Sequence, residues 1–155
     1  EWSEKYEIRL NRQTIQPENV NGYVYIEISH GDCIEIQLDG DAKKVYPSAK
    51  IPKLSGCVAV TRGPLVYCFE GADNEGDVIS LSLKSDGAIH PKSCNSDILG
   101  EITLLETDAV RTEGVNEGLY SYIKPKLEEF TAVAVPYYTW GNRGENQMRV
   151  WINEK

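Results

Sequence analysis

No run of apolar residues in the 155-residue chain approaches the roughly 20 that a membrane-spanning helix requires. Cationic side chains are in the minority, with 16 Lys and Arg against 24 Asp and Glu for a formal net charge of −8. No Lys/Arg stripe offsets that field locally, which argues against nucleic acid and against an anionic membrane surface as partners. The only histidines are His30 and His90, in turn and loop contexts and without a G-x-S-x-G signature, so a nucleophile–base triad has no support. Cys33, Cys57, Cys68 and Cys94 make no C-x-x-C pair, which leaves a zinc or redox motif unsupported. A chain of this length needs no staples to fold, and free thiols are the expectation, with Cys33 and Cys68 buried in strands. No N-x-[ST] sequon and no signal-peptide pattern occur, which favours a bacterial, cytoplasmic setting. The first residue is Glu1 rather than Met, so the N-terminus reads as a cut inside a longer chain.

What is abundant is alternation with a period of two. EKYEIRL places Tyr6, Ile8 and Leu10 on one face. YVYIEIS and CIEIQL alternate in the same way around His30-Gly31-Asp32, which predicts a hairpin. CVAVTRGPLVYCFE is interrupted by Gly63-Pro64, a kink, bulge or strand end, because proline cannot donate to a ladder. VISLSL, EITLL, LYSYI and TAVAV add further short strands, and TAVAVPYYTW with QMRVWI predicts a second hairpin around Gly141–Asn146. KPKLEEF could form one helical turn at most, and the Ser-, Asn-, Asp- and Gly-rich stretch from Ser85 to Gly100 reads as a long loop or lobe boundary. Nine or ten short strands separated by turn signals predict an all-β fold, an antiparallel β-sandwich of jelly-roll type.

Candidate chemistry is thin. A glycosidase needs two converging carboxyl groups, and no pair among so many acids can be singled out. Asp73, Asn74, Glu75 and Asp77 offer oxygen ligands, but their spacing misses the calcium-loop pattern and suits an ordinary turn. The stretch VPYYTWGNRGENQMRVWI is more distinctive. Tyr137, Tyr138, Trp140, Asn142, Arg143 and Trp151 could stack on a sugar ring and bond its hydroxyls, or equally form a core and a docking surface.

Two segments carry a resemblance. VAVTRGPLVYCFEGADN (58–74) and AVPYYTWGNRGENQMRVWI (134–152) resemble the C-terminal region of glycoside hydrolase family 127, the β-L-arabinofuranosidases. The R-G-P-L-V-Y motif spans Arg62, Gly63, Pro64 and Tyr67, and reads as structural. The P-Y-Y-x-W-x-N-R-G motif runs from Pro136 to Gly144, and M-x-V-W from Met148 to Trp151. GYVYIEISHGDCIEIQL (22–38) resembles the family's strand–Gly-Asp–strand segment, though Ile28-Ser29-His30 stands where the family carries an Arg and a Trp.

The resemblance implies a parent enzyme in which an (α/α) barrel does the chemistry with a zinc-bound cysteine nucleophile, further cysteines, a glutamate on the metal and a glutamate acid/base. β-Sandwich domains follow that barrel. None of the four cysteines here stands in a matching context, so zinc and catalytic residues are expected only in the barrel, and this chain is expected to carry neither. Residues 1–155 are then a non-catalytic C-terminal accessory region whose partner is the barrel of the same parent. Residues 57–74 would mark a join if it contains the end of one sandwich and all of the next. The alternative is a stand-alone module that binds carbohydrate or a protein.

Overall fold

The computed structural model describes residues 5–113 and 120–155. The chain forms two compact units, Glu1–Asp41 and Ala42–Lys155. The division therefore falls at Asp41, not within residues 57–74. That segment is a hairpin inside the second unit, and its strands carry Val58, Val60 and Phe69 into the core.

The first unit holds β1 (Tyr6–Leu10), β2 (Gln13–Ile15), β3 (Asn19–Val20), β4 (Tyr23–Val24) and β5 (Ile34–Leu38). β1 is central in the order β2-β1-β5, with both pairings antiparallel. Asn11 and Arg12 turn the β1–β2 hairpin with φ of 50° and 69°, the left-handed pair that a two-residue turn of primed type requires. Asn11 also binds the segment entering β5: its Nδ2 donates to Asp32 Oδ1 at 2.8 Å, and its Oδ1 accepts the Cys33 N–H at 3.0 Å.

The expected hairpin between residues 23–29 and 33–38 does not form. A turn does occur at His30-Gly31, with the Asp32 carboxylate accepting the Ser29 N–H at 2.6 Å, but β5 pairs with β1 and only Tyr23–Val24 of the first run is strand. The register aligns Tyr6 with Leu38, Ile8 with Ile36 and Ile15, and Leu10 with Ile34. Directly opposed residues share a face, so these side chains form one apolar surface. Ile8 alone among them is fully buried; Ile34, Ile36 and Leu38 are 40%, 59% and 49% exposed.

The second unit holds β6 (Ala42–Val45), β7 (Cys57–Arg62), β8 (Leu65–Glu70), β9 (Leu81–Leu83), β10 (Ile89–Ser96), β11 (Gly100–Thr112), β12 (Leu127–Pro136), β13 (Met148–Arg149) and β14 (Ile152–Glu154). Hydrogen bonding follows β13-β8-β12-β11-β9-β14-β7-β6, and the β7–β8 hairpin closes the path on itself. All pairings are antiparallel except β9 with β14. The long β11 pairs with β10 along its first half and with β9 near its end, while β12 takes its other edge. Val58, Val60, Tyr67, Phe69, Leu81, Leu83, Leu105 and Ile152 fill the enclosed core.

Two expectations fail here because polar strands look like loops or turns, and a third fails in the opposite sense. Residues 89–96, within the stretch read as loop, form β10, a mostly exposed strand paired with β11. Leu127 begins β12 rather than a helical turn. LYSYI is not strand in its described part, where Tyr120, Tyr122 and Ile123 are exposed, and Leu119 lies outside the described residues.

All four cysteines are free. Cys68 is buried, and burial together with the nearby Glu70 charge pushes its thiol up to about 12. Cys33, expected inside a strand, is exposed at the mouth of β5. Since the thiolate is the reactive form, a thiol-specific disulfide reagent is expected to label Cys33 in the native protein and Cys68 only after unfolding. Mass mapping of the labelled peptides checks this; rapid native labelling of Cys68 would contradict its placement.

Candidate functional site

The aromatic stretch does not fold as a hairpin. β12 ends at Pro136, opposite Tyr67, and β13 returns on the other edge of β8, with Met148 opposite Glu70 and Arg149 opposite Phe69. The chain thus clasps β8 from both sides before β14 leaves to pair with β7 and β9. Between the clasping strands lie a short 3-10 turn at Tyr137–Thr139 and tight bends at Gly141 and Gly144, with φ of 80° and 89°. Thr139 is buried and its hydroxyl donates to the Pro136 carbonyl at 2.8 Å.

Arg143, a candidate sugar contact, is committed elsewhere. Its Nη1 donates to Asp73 Oδ1 at 2.6 Å, and Nη2 bonds both Asp73 Oδ2 and Glu70 Oε2. Glu70 is fully buried and accepts the Gly141 N–H at 3.1 Å through its other oxygen. One guanidinium is therefore shared by two carboxylates and fixes the bend to the end of β8, the forked geometry at which arginine excels. The hydrogen bond to Asp73 and then that to Glu70 hold the Arg143 pKa above its ordinary value against burial, so it stays charged.

Burial pushes the Glu70 carboxyl up, but hydrogen bonds from Arg143 and the Gly141 N–H, the Arg143 charge and the Asn146 side chain outweigh it and bring the pKa below the usual range. A carboxyl with a depressed folded-state pKa stabilises the fold above its unfolded pKa, about 4.3. That contribution is lost as pH falls through the folded value. Melting temperature is accordingly expected to fall on acidification below about pH 4. In Arg143→Met the Glu70 contribution reverses sign, because the stranded carboxyl binds its proton more readily folded than unfolded. Melts of both proteins across the acid range check this.

A second clamp stands beside the first. Asn74 is fully buried; its Nδ2 donates to the Glu70 and Val133 carbonyls at 2.7 and 2.9 Å, and its Oδ1 accepts the Val133 N–H at 3.0 Å. Arg111 donates to the Asn74 carbonyl at 2.9 Å, pairs with Glu75 and lies 3.9 Å from the centre of the Phe130 ring. Asp77 accepts the Ile79 N–H at 2.9 Å. The side-chain oxygens of Asp73, Asn74, Glu75 and Asp77 are thus engaged by guanidinium and backbone partners rather than gathered around a cation. A Cβ at Gly71 would stand 3.2 Å from the Gly76 carbonyl oxygen, a tight contact that the backbone there would have to yield to.

The other candidates divide. Asn142 is exposed and its amide closes the bend onto the Thr139 carbonyl at 3.0 Å. Trp151 is half-buried beside β14, while Tyr137, Tyr138 and Trp140 remain 47%, 64% and 44% exposed. Arg62, Gly63, Pro64 and Tyr67 build the β7–β8 turn: Gly63 takes φ of 55°, Arg62 pairs with Leu65, and the buried Tyr67 hydroxyl donates to the Thr103 carbonyl at 3.0 Å. Sequence reasoning missed Glu70, at the end of a strand, and read Asp73 and Asn74 as part of an ordinary turn. The signal was Glu70 at the inward end of an apolar strand, where a carboxylate needs a cation.

Among the described residues no group of three or more His, Cys, Asp or Glu side chains converges as a metal site. Cys68 is sealed in the core of the second unit, and Cys33 belongs to the first. No helix among the described residues is long and apolar enough to cross a membrane.

Comparison with known proteins agrees with this architecture. A curated non-reducing-end β-L-arabinofuranosidase of Bifidobacterium longum is 34% identical over 97% of this chain, which spans 24% of that relative. The crystal structure of a GH127 β-L-arabinofuranosidase from Geobacillus stearothermophilus T6 superposes with a TM-score of 0.85 at 30% identity, covering 99% of this chain and 25% of that one. A solved GH127 β-arabinofuranosidase gives 0.84 at 30% identity over 97% and 23%. The chain spans about a quarter of the length of these relatives. The model of the glycoside hydrolase family 127 C-terminal domain matches residues 42–153, beginning on the first residue of the second unit. This chain belongs to the glycoside hydrolase family 127 C-terminal domain family.

Proposed function

We propose that this chain is a non-catalytic accessory region of a larger β-L-arabinofuranoside hydrolase, and that it supports a catalytic domain of the same parent, an (α/α) barrel. The observation that carries the reading is the apolar face of the β2-β1-β5 sheet. Ile34, Ile36 and Leu38 stand 40–59% exposed in a contiguous row, flanked by the half-exposed Tyr6. A soluble domain rarely leaves so continuous an apolar row to water unless something covers it. The parent's own chain is the proposed cover, since the relatives are about four times as long as the matched region. Zinc and the catalytic cysteine would then reside in that further part. A bacterial, cytoplasmic setting suits four free thiols.

Ile36→Glu tests the reading. In this chain alone the substitution is expected to leave the fold within about 0.5 kcal/mol, because the side chain is already largely in water. In the full-length parent the same change is expected to lower the melting temperature and the rate of arabinofuranoside hydrolysis. An unaffected parent would remove the support for docking through this face.

A further inference from the structure

The first unit encloses little apolar surface of its own. Among its described residues Ile8 is the only fully buried hydrophobic side chain. A sheet of three short strands with so small a core is marginal by itself. The matched family domain begins at Ala42, yet the relatives align over 97% and 99% of this chain. The first unit thus accompanies the C-terminal domain in those relatives without being part of it.

Backbone geometry shows where its sheet is open. The Asn11 N–H donates to the Cys33 carbonyl at 2.9 Å, and the Asp39 N–H to the Lys5 carbonyl at 3.1 Å. Both bonds fall on the β1–β5 register, so the odd-numbered residues of β5 are the hydrogen-bonded partners of β1. The N–H and C=O groups of Ile34, Ile36 and Leu38 consequently point away from β1. Among the described residues β5 pairs with no second strand. The residues of the exposed apolar row therefore also line the open edge. Other edge strands are blunted in the ways that deter strand addition. β10 carries Pro91 and Lys92, and β6 carries Lys43 and Lys44. β3, β4 and β13 have two residues each, and β2 has three with Pro17 close behind. β5 has five residues, IEIQL, with neither proline nor lysine.

We propose that β5 is a strand-addition edge, completed by an extended segment from the rest of the parent chain. The proposal rests on the accessory reading and adds the mode of attachment: backbone bonds to Ile34, Ile36 and Leu38 together with cover for their side chains. The added strand carries apolar residues at alternate positions, because only those meet the Ile34–Ile36–Leu38 face. A second copy of the chain could offer a strand too. The parent's own segment is favoured because the relatives are about four times as long as the matched region, and covalent linkage supplies that segment at high effective concentration.

Hydrogen exchange in the full-length parent, resolved to single amides by electron-transfer fragmentation, tests the edge. The Ile34, Ile36 and Leu38 amides are expected to exchange at least about a hundredfold more slowly than unstructured amides, as Glu35 and Gln37 do through β1. Unstructured rates at the three, with Glu35 and Gln37 still slow, would overturn the proposal. If Ile36→Glu nevertheless destabilised that parent, the face would dock without strand pairing and the accessory reading would stand. Protection that vanishes on dilution of the parent would make a second copy the added strand, and would equally overturn the proposal.

Discussion

Arg143→Met is expected to destabilise the second unit by about 3 kcal/mol or more, among the largest effects of any single substitution in the chain. The substitution leaves Glu70 fully buried with only the Gly141 N–H and the Asn146 side chain for partners, and it strands Asp73 beside it. Removing one member of a buried charge pair typically costs ~3–5 kcal/mol, and the slight exposure of Arg143 places it near the lower bound. Arg143→Lys should fall between, because one ammonium cannot reproduce the fork on Asp73 together with the bond to Glu70. Adding Glu70→Gln to Arg143→Met should recover part of the loss, and that non-additivity is the signature of a direct pair. If Arg143 served instead to hold a ligand, its removal would leave stability within about 0.5 kcal/mol. Urea denaturation of the four proteins separates the two outcomes.

Asn74→Ala is the second large effect, expected at about 3 kcal/mol. It orphans the Glu70 carbonyl and both backbone groups of Val133. Each unsatisfied buried group costs about 1–3 kcal/mol, and neighbouring losses add incompletely. Asn74→Asp should be at least as damaging at neutral pH, since a carboxylate facing two carbonyl oxygens can only accept. Its deficit should shrink on acidification, when the protonated side chain can donate to one of them. Hydrogen exchange at the Val133 amide provides a local readout and should accelerate in Asn74→Ala, which removes its acceptor. An unchanged exchange rate would show that β12 is held without the Asn74 clamp.

The alternation of apolar residues made the all-β class legible, and Gly63-Pro64 marked the end of β7 because a prolyl nitrogen cannot join a ladder. What the pattern could not convey was partnership. β5 alternates in sequence as if it followed residues 23–29, yet its partner is β1, almost thirty positions upstream. Strands exposed along much of one side, such as β10 and the start of β12, contain the serines, asparagines and glutamates of loops, so composition misassigns them. The aromatic stretch was conspicuous, but whether its arginine faced a ligand or a carboxylate depended on Glu70 and Asp73, about seventy residues away. Tyr138 kept an exposed face, whereas Arg143 did not remain available.

The clamps at Arg143 and Asn74, the turn at Gly63-Pro64 and the sealed Cys68 all serve the second unit's architecture, and none converges on a reaction centre. The most direct test is hydrolysis of p-nitrophenyl β-L-arabinofuranoside by the purified 155-residue chain, with and without added zinc. The account predicts no release of nitrophenol above the uncatalysed rate under either condition. Turnover by the pure chain that a single substitution within it abolishes would contradict a non-catalytic role.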